Sequence, residues 1–276
     1  MADVVLRGRS EPVATVLGVV RKVVRTGHSD GLVITGEAGI GKSALLTAVL
    51  REAGRLGAAG GTVRADRIGR IVPGGPLLTA LRDGPDPVLA AETAEPLATL
   101  TGQPLRLLDA VAAALEQRAV ERAIVIAVDD AQWLDDLSAV VLRSLPGRLA
   151  HSPVAWLAAA RTADLPFFAG AVGDAPLRQL ELGPLADSDI IAIAHDQLGA
   201  LPGSATRQML EQAGGNPFLA VQLIGGLLHA PGSRHRSGWP AWRARPRGPA
   251  PAADPAVAGG RAGQSGRGVR RAAAPR

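Results

Sequence analysis

Apolar positions in this chain keep two rhythms, helical and extended, which alternate as far as residue 182. Residues 11–27 place Val13, Val16, Leu17, Val20, Val23 and Val24 on or near one face at helical spacing. A Gly-containing turn then leads into Leu32-Val33-Ile34-Thr35, an apolar β-branched run that reads as a buried strand. Residues 44–51 predict the next helix and residues 62–65 a short strand. Residues 68–103 are rich in Pro and Gly and yield only a short helix near residues 77–82. The amphipathic stretch 105–118 feeds a six-residue apolar run, Ala123-Ile124-Val125-Ile126-Ala127-Val128. Residues 138–145 read as a helix that stops at Pro146-Gly147, residues 154–160 as another buried strand, and residues 177–182 as the last strand. Continuous apolar strands fit a parallel sheet covered on both faces. Residues 187–198, 205–213 and 217–228 are then helical, with no strand between them. The fold class expected is α/β: a mainly parallel central sheet flanked by helices, followed by a small helical piece.

The strand at residues 32–35 and the helix at 44–51 enclose Gly36-Glu37-Ala38-Gly39-Ile40-Gly41-Lys42-Ser43, which matches G-x-x-x-x-G-K-[ST]. Strand, glycine loop and helix in that order are the setting a nucleotide phosphate-binding loop requires, so the sheet is expected to be that of a P-loop NTPase. Glycines let backbone N–H groups turn toward phosphates, and the helix N-terminus adds partial positive charge. Lys42 is expected to reach the β- and γ-phosphates and the Ser43 hydroxyl to hold Mg²⁺. The run ending at Val128 delivers Asp129 and Asp130 to the carboxyl end of a central strand, where open α/β sheets bind ligands. Asp129 is then the expected magnesium partner, and Asp130 the residue that orients or deprotonates the attacking water.

The series Asp129, Asp130, Trp133, Asp135 and Ser138 fits D-D-x-x-W-x-D-x-x-S. It resembles the Walker B segment of STAND-class, AAA+-related ATPases, and especially the ATPase domains of large LuxR-type transcription regulators. Leu6-Arg7-Gly8-Arg9-Ser10-Glu11 resembles the opening "GR" signature of that family, which implies that Arg9 lies near the adenine; Pro12-Val13 departs from the usual acidic-leucine pair. Arg161, at the end of the strand expected at 154–160, matches the position of a sensor arginine that feels the γ-phosphate. Gly214-Gly215-Asn216-Pro217-Phe218-Leu219 matches G-N-P-F in the helical lid, which implies that Pro217 packs against the nucleotide. Read from the residues alone, that segment is a helix stop and restart, with Asn216 as cap and Pro217 in the first turn. Asp135 likewise suits the cap of the helix that follows it.

A chain of 276 residues without cysteine excludes disulfides and thiolate metal sites. No apolar stretch reaches membrane-span length, and Met1-Ala2-Asp3 lacks the start of a secretory signal, so a cytoplasmic protein is expected. The five histidines, at positions 28, 151, 195, 229 and 235, form no cluster. The net charge of +5 conceals an asymmetry. From Pro231 onward there are ten Arg and one Asp, a net of +9, which leaves about −4 for the rest. The body therefore carries no overall basic signature for nucleic acid.

From Pro231 there is also no Leu, Ile, Met, Phe, Glu, Lys or Thr, so disorder is expected. The tail reads either as a basic arm for nucleic acid, with Trp239 and Trp242 for stacking, or as GC-rich DNA translated out of frame; its abrupt start favours the second. The division expected is an ATPase domain over residues 1–183, a helical lid over 184–229 and a tail over 230–276. The resemblance implies an ATP- and Mg²⁺-binding switch that hydrolyses slowly, with DNA as a partner only through kinship or the tail, and self-association left open. The alternatives are a nucleic-acid-binding protein acting through the tail, and a truncated, non-functional fragment.

Overall fold

The computed structural model describes residues 6–66, 71–83, 87–161, 171–172, 175–176 and 178–229. The basic tail from residue 230 and Leu177 lie outside these residues. In chain order the elements are α1 (Ser10–Thr26), β1 (Asp30–Gly36), α2 (Lys42–Arg55), β2 (Ala59–Arg64), α3 (Gly75–Arg82), α4 (Ala91–Ala98), α5 (Pro104–Glu121) and β3 (Ile124–Asp129). There follow α6 (Asp136–Arg148), β4 (Val154–Ala159), β5 (Ala171–Val172), β6 (Ala175–Pro176), β7 (Arg178–Leu182), α7 (Asp187–Leu198), α8 (Ser204–Glu211) and α9 (Pro217–His229). Five strands form one parallel sheet in the order β2-β3-β4-β1-β7, and β5 pairs with β6 as a separate antiparallel ribbon.

Side chains alternate across a strand, so each apolar run supplies both faces of the sheet. Leu32, Ile34, Val125, Ala127, Leu157 and Ala159 pack in one cluster with α1 and α2. Val33, Ile124, Ile126, Val128, Trp156 and Ala158 pack in another with α3 to α6. The product is a three-layer α/β sandwich, the fold class of a P-loop NTPase. Residues Leu185, Ile190, Ala194, Leu210, Ala213, Ala220 and Ile224 of α7 to α9 and their connections close round a third, smaller cluster. Among the described residues no helix is long and apolar enough to cross a membrane.

Three elements depart from the local signals. α6 does not stop at Pro146 but runs through it to Arg148, because Leu145, Pro146 and Leu149 are buried and a proline near the helix end removes only one late hydrogen bond. β2 begins at Ala59 rather than residue 62, taking in Gly60 and Gly61. A Cβ on Gly61 would lie 2.8 Å from the Ala80 carbonyl oxygen, so glycine there lets α3 lie directly on the strand. α4, unforeseen in the Pro-rich stretch, buries Ala94 and Leu97 despite Pro96 within it.

Asp135, 4% exposed, ties two helices of one layer together. Its Oδ1 accepts the Ser138 amide (2.9 Å), capping α6, and the Gly74 amide (2.8 Å) at the start of α3. Asp135→Ala removes a cap and leaves a second buried donor without its acceptor. The expected loss is about 2–4 kcal/mol of unfolding free energy, read from urea melts. A loss under about 0.5 kcal/mol would show that water replaces the carboxylate at both amides.

Candidate nucleotide site

The sheet order brings the two halves of the site to one edge. β1 and β3 both run parallel to β4, which lies between them, so their carboxyl ends are about 10 Å apart at the usual strand spacing. The first turn of α2 spans that gap. Ser43 Oγ donates to Asp129 Oδ1 at 3.0 Å, joining the glycine loop to the acidic strand end.

The loop depends on its glycines for backbone reasons. Gly36, Gly39 and Gly41 have φ of 147°, 79° and 108°, values that side-chain-bearing residues rarely adopt. A Cβ on Gly36 would sit 2.7 Å from the Leu182 carbonyl oxygen, and one on Gly39 2.8 Å from Phe218 Cβ. At Gly41 the nearest atom would be Pro217 Cγ, 3.9 Å away, so the loop is open there at the head of α2. This opening, beside a helix N-terminus, suits a phosphate.

Lys42 is 8% exposed, and its Nζ donates to the Gly36 and Glu37 carbonyls at 2.9 and 2.8 Å. Burial holds its ammonium below the usual lysine range; Asp130 opposes that, Arg161 adds to it, and Asp129 opposes it. Burial likewise pushes the Asp129 carboxyl up and Asp130 adds to this, while the Ser43 hydrogen bond and Arg64 pull it down. A group bringing both phosphate and a divalent cation would relieve both charges. The hydroxyl of Ser43 and carboxylate of Asp129 are hard oxygen donors of the kind Mg²⁺ takes, with phosphate oxygens and water completing its shell. Among the described residues there is no cluster of three or more His, Cys, Asp or Glu side chains that could hold a metal ion.

Asp130 is the one non-glycine with positive φ among the described residues, at φ 53° and ψ 46°. Aspartate tolerates this region better than most residues, at a cost of order 1 kcal/mol. The Trp133 amide donates to the Asp130 carbonyl at 2.9 Å, and Gln132 Nε2 donates to Asp130 Oδ1 at 2.9 Å. Gln132 carried no signal in the sequence; its part follows from the turn that folds it back on Asp130.

The outlying residues fall in three places. Arg161 is exposed just beyond β4, near enough to Lys42 for their charges to interact. Arg9 is 8% exposed, and Nη2 donates to the carbonyls of Ile40 (3.0 Å) and Gly183 (2.8 Å), binding the glycine loop to the end of β7. Burial lowers its guanidinium below the usual range, with Asp189 opposing. Its neighbour Arg7 pairs with Asp196 of α7 at 2.9 Å. Pro217 begins α9 beside Gly41, and Asn216 Nδ2 donates to the Ala38 carbonyl at 2.9 Å. Asn216 was legible as a helix cap; its reach to the loop was not. A cavity of about 320 Å³ opens among Ala38, Gly39, Asn216, Phe218 and Leu219.

Solved structures share this fold. The Aeropyrum pernix ORC1 protein in complex with DNA superposes with a TM-score of 0.54 at 14% identity, over 81% of this chain and 60% of that one. Drosophila ORC bound to DNA gives 0.54 at 18% identity, over 80% and 55%. A DNA replication initiation factor gives 0.51 at 13% identity, over 82% and 61%. This chain thus spans less than two thirds of each, and the likeness is one of fold. No curated protein matches the sequence. The sequence profile of the AAA ATPase domain matches residues 5–157, more than half of the chain and both halves of the site described above; the chain belongs to the AAA ATPase domain family.

Proposed function

We propose that the chain is an ATP-binding switch domain that hydrolyses ATP slowly, with residues up to 183 as the ATPase core and residues 184–229 as its lid. The observation that carries this reading is the Ser43–Asp129 hydrogen bond, which joins the loop helix to the acidic strand end across β4. Gly36 to Ser43 would wrap the phosphates, with Lys42 turning from the loop carbonyls to the β- and γ-phosphates. Ser43 and Asp129 would hold Mg²⁺, whose chemistry is to screen phosphate charge and orient the γ-phosphoryl group. Asp130, held by Gln132, would orient the attacking water, and Arg161 would approach the γ-phosphate from the end of β4. Arg9 supports the loop through the Ile40 carbonyl, and a place near the adenine is proposed for it from the resemblance of the opening motif.

The motif order resembles that of LuxR-type STAND regulators, and this supports a switch whose hydrolysis resets a lid. Control of transcription and self-association are proposals of the same kinship, and a cytoplasmic location is proposed from the sequence alone. The DNA bound in the Aeropyrum pernix ORC1 and Drosophila ORC structures suggests a DNA partner for this chain only as a further proposal.

Calorimetry with ATP, with and without Mg²⁺, tests the site. ATP is expected to bind more tightly with Mg²⁺, and Asp129→Asn to remove most of that difference while keeping the Ser43 hydrogen bond. ATP binding that ignores Mg²⁺ in the parent protein would remove Asp129 and Ser43 from the metal site.

A further inference from the structure

Asn216 does two things with one planar amide. Its Oδ1 accepts the Phe218 and Leu219 amides at 3.0 and 3.3 Å, capping α9. Its Nδ2 donates to the Ala38 carbonyl at 2.9 Å. Asn, Asp and Ser are about equally good helix caps, so capping alone does not call for asparagine. The donation does, because neither Asp nor Ser can cap α9 with one atom and reach the loop with a donor on another.

A second contact runs beside it, from the Phe218 amide to the Gly39 carbonyl at 3.3 Å. Two successive carbonyls of the phosphate loop are therefore held toward α9. In a trans peptide the carbonyl and the next N–H point in opposite directions. Holding the Ala38 carbonyl toward α9 turns the Gly39 N–H away from it, and holding the Gly39 carbonyl does the same for Ile40. Gly39 has φ 79° and no side chain, so its flanking peptides would rotate readily once released.

We propose that Asn216 is a positioning residue for the phosphate loop: its amide fixes the direction of the Ala38–Gly39 peptide, so that docking of the α7–α9 segment and binding of phosphate are one coupled event. The proposal rests on the nucleotide reading above and adds the residue through which the lid senses the loop. Coupling of this kind is reciprocal: whatever the docked lid adds to nucleotide affinity, the nucleotide adds to lid docking.

Asn216→Ser in the full chain keeps a capping oxygen and loses the donor. Asn216→Asp keeps an equally good cap and sets an acceptor against the Ala38 carbonyl. Both are expected to melt near the parent temperature. ATP affinity should fall about fivefold in the serine variant, the size that one net hydrogen bond supports, and further in the aspartate variant. Hydrogen exchange supplies the readout that capping alone would not move. Without nucleotide, residues 36–41 should exchange faster in both variants, and the protection that ATP confers on residues 214–222 should shrink. Parent-like exchange at 36–41 together with parent-like ATP affinity in both variants would overturn the proposal. If the parent chain binds no nucleotide, the functional reading fails, while exchange at 36–41 still decides whether Asn216 grips the loop.

Discussion

Lys42→Ala is expected to weaken ATP binding by a factor of about 10 to 150 while leaving the fold nearly as stable as before. The two halves of that result have separate causes. In the structure the Lys42 ammonium is buried and, among the described residues, bonded to the Gly36 and Glu37 carbonyls, and burial already lowers its affinity for a proton. Removing a buried cation that no carboxylate among the described residues directly pairs relieves a desolvation cost, which offsets the two hydrogen bonds given up. The folded state therefore loses little. The nucleotide complex loses a charge-assisted contact to phosphate, and such contacts are worth about 1.5–3 kcal/mol each, a factor of roughly 10 to 150. Lys42→Arg should bind poorly too, since a planar fork cannot occupy the space of a compact ammonium between two carbonyls. Calorimetric titration beside a thermal melt separates the effects. A folded Lys42→Ala protein with parent affinity would place the nucleotide elsewhere or remove it altogether.

What the sequence made legible follows from how local each cause is. The phosphate loop could be read because its chemistry demands glycines, lysine and a hydroxyl within eight consecutive residues, between a strand and a helix. The place of Asp129 could be read because a continuous apolar run marks a buried strand, and the residue that ends it stands at the carboxyl edge of the sheet. Arg9 shows the opposite case. Its partners, Ile40 and Gly183, stand 31 and 174 residues away, and no local pattern predicts which carbonyls a buried guanidinium will meet. Gly61 lies inside β2 because the backbone of α3 comes close, a requirement set by tertiary packing. Pro146 fails as a stop signal because the burial of Leu145 and Leu149 outweighs one lost hydrogen bond. Asn216 lies between the cases: its capping role is written in the residues that follow it, and its donor role exists only once α9 stands against the loop.

Asp130→Asn should separate binding from turnover. The substitution is nearly silent structurally. Asparagine, like aspartate, tolerates the left-handed region in which residue 130 sits, and its side-chain oxygen can still accept from Gln132 Nε2. ATP affinity should consequently stay within a few-fold of the parent, with Asp129 still in place for Mg²⁺. What the amide lacks is the negative charge and basicity needed to orient the attacking water and take its proton. Losing a general base of this kind lowers the rate by about 10²–10⁴-fold. Single-turnover hydrolysis at saturating ATP and Mg²⁺ measures the step without interference from product release. The variant should accumulate ATP-bound protein, which hydrogen exchange over residues 184–229 would register as a lid held in its ATP state. Hydrolysis at the parent rate would assign the attacking water to a group other than Asp130.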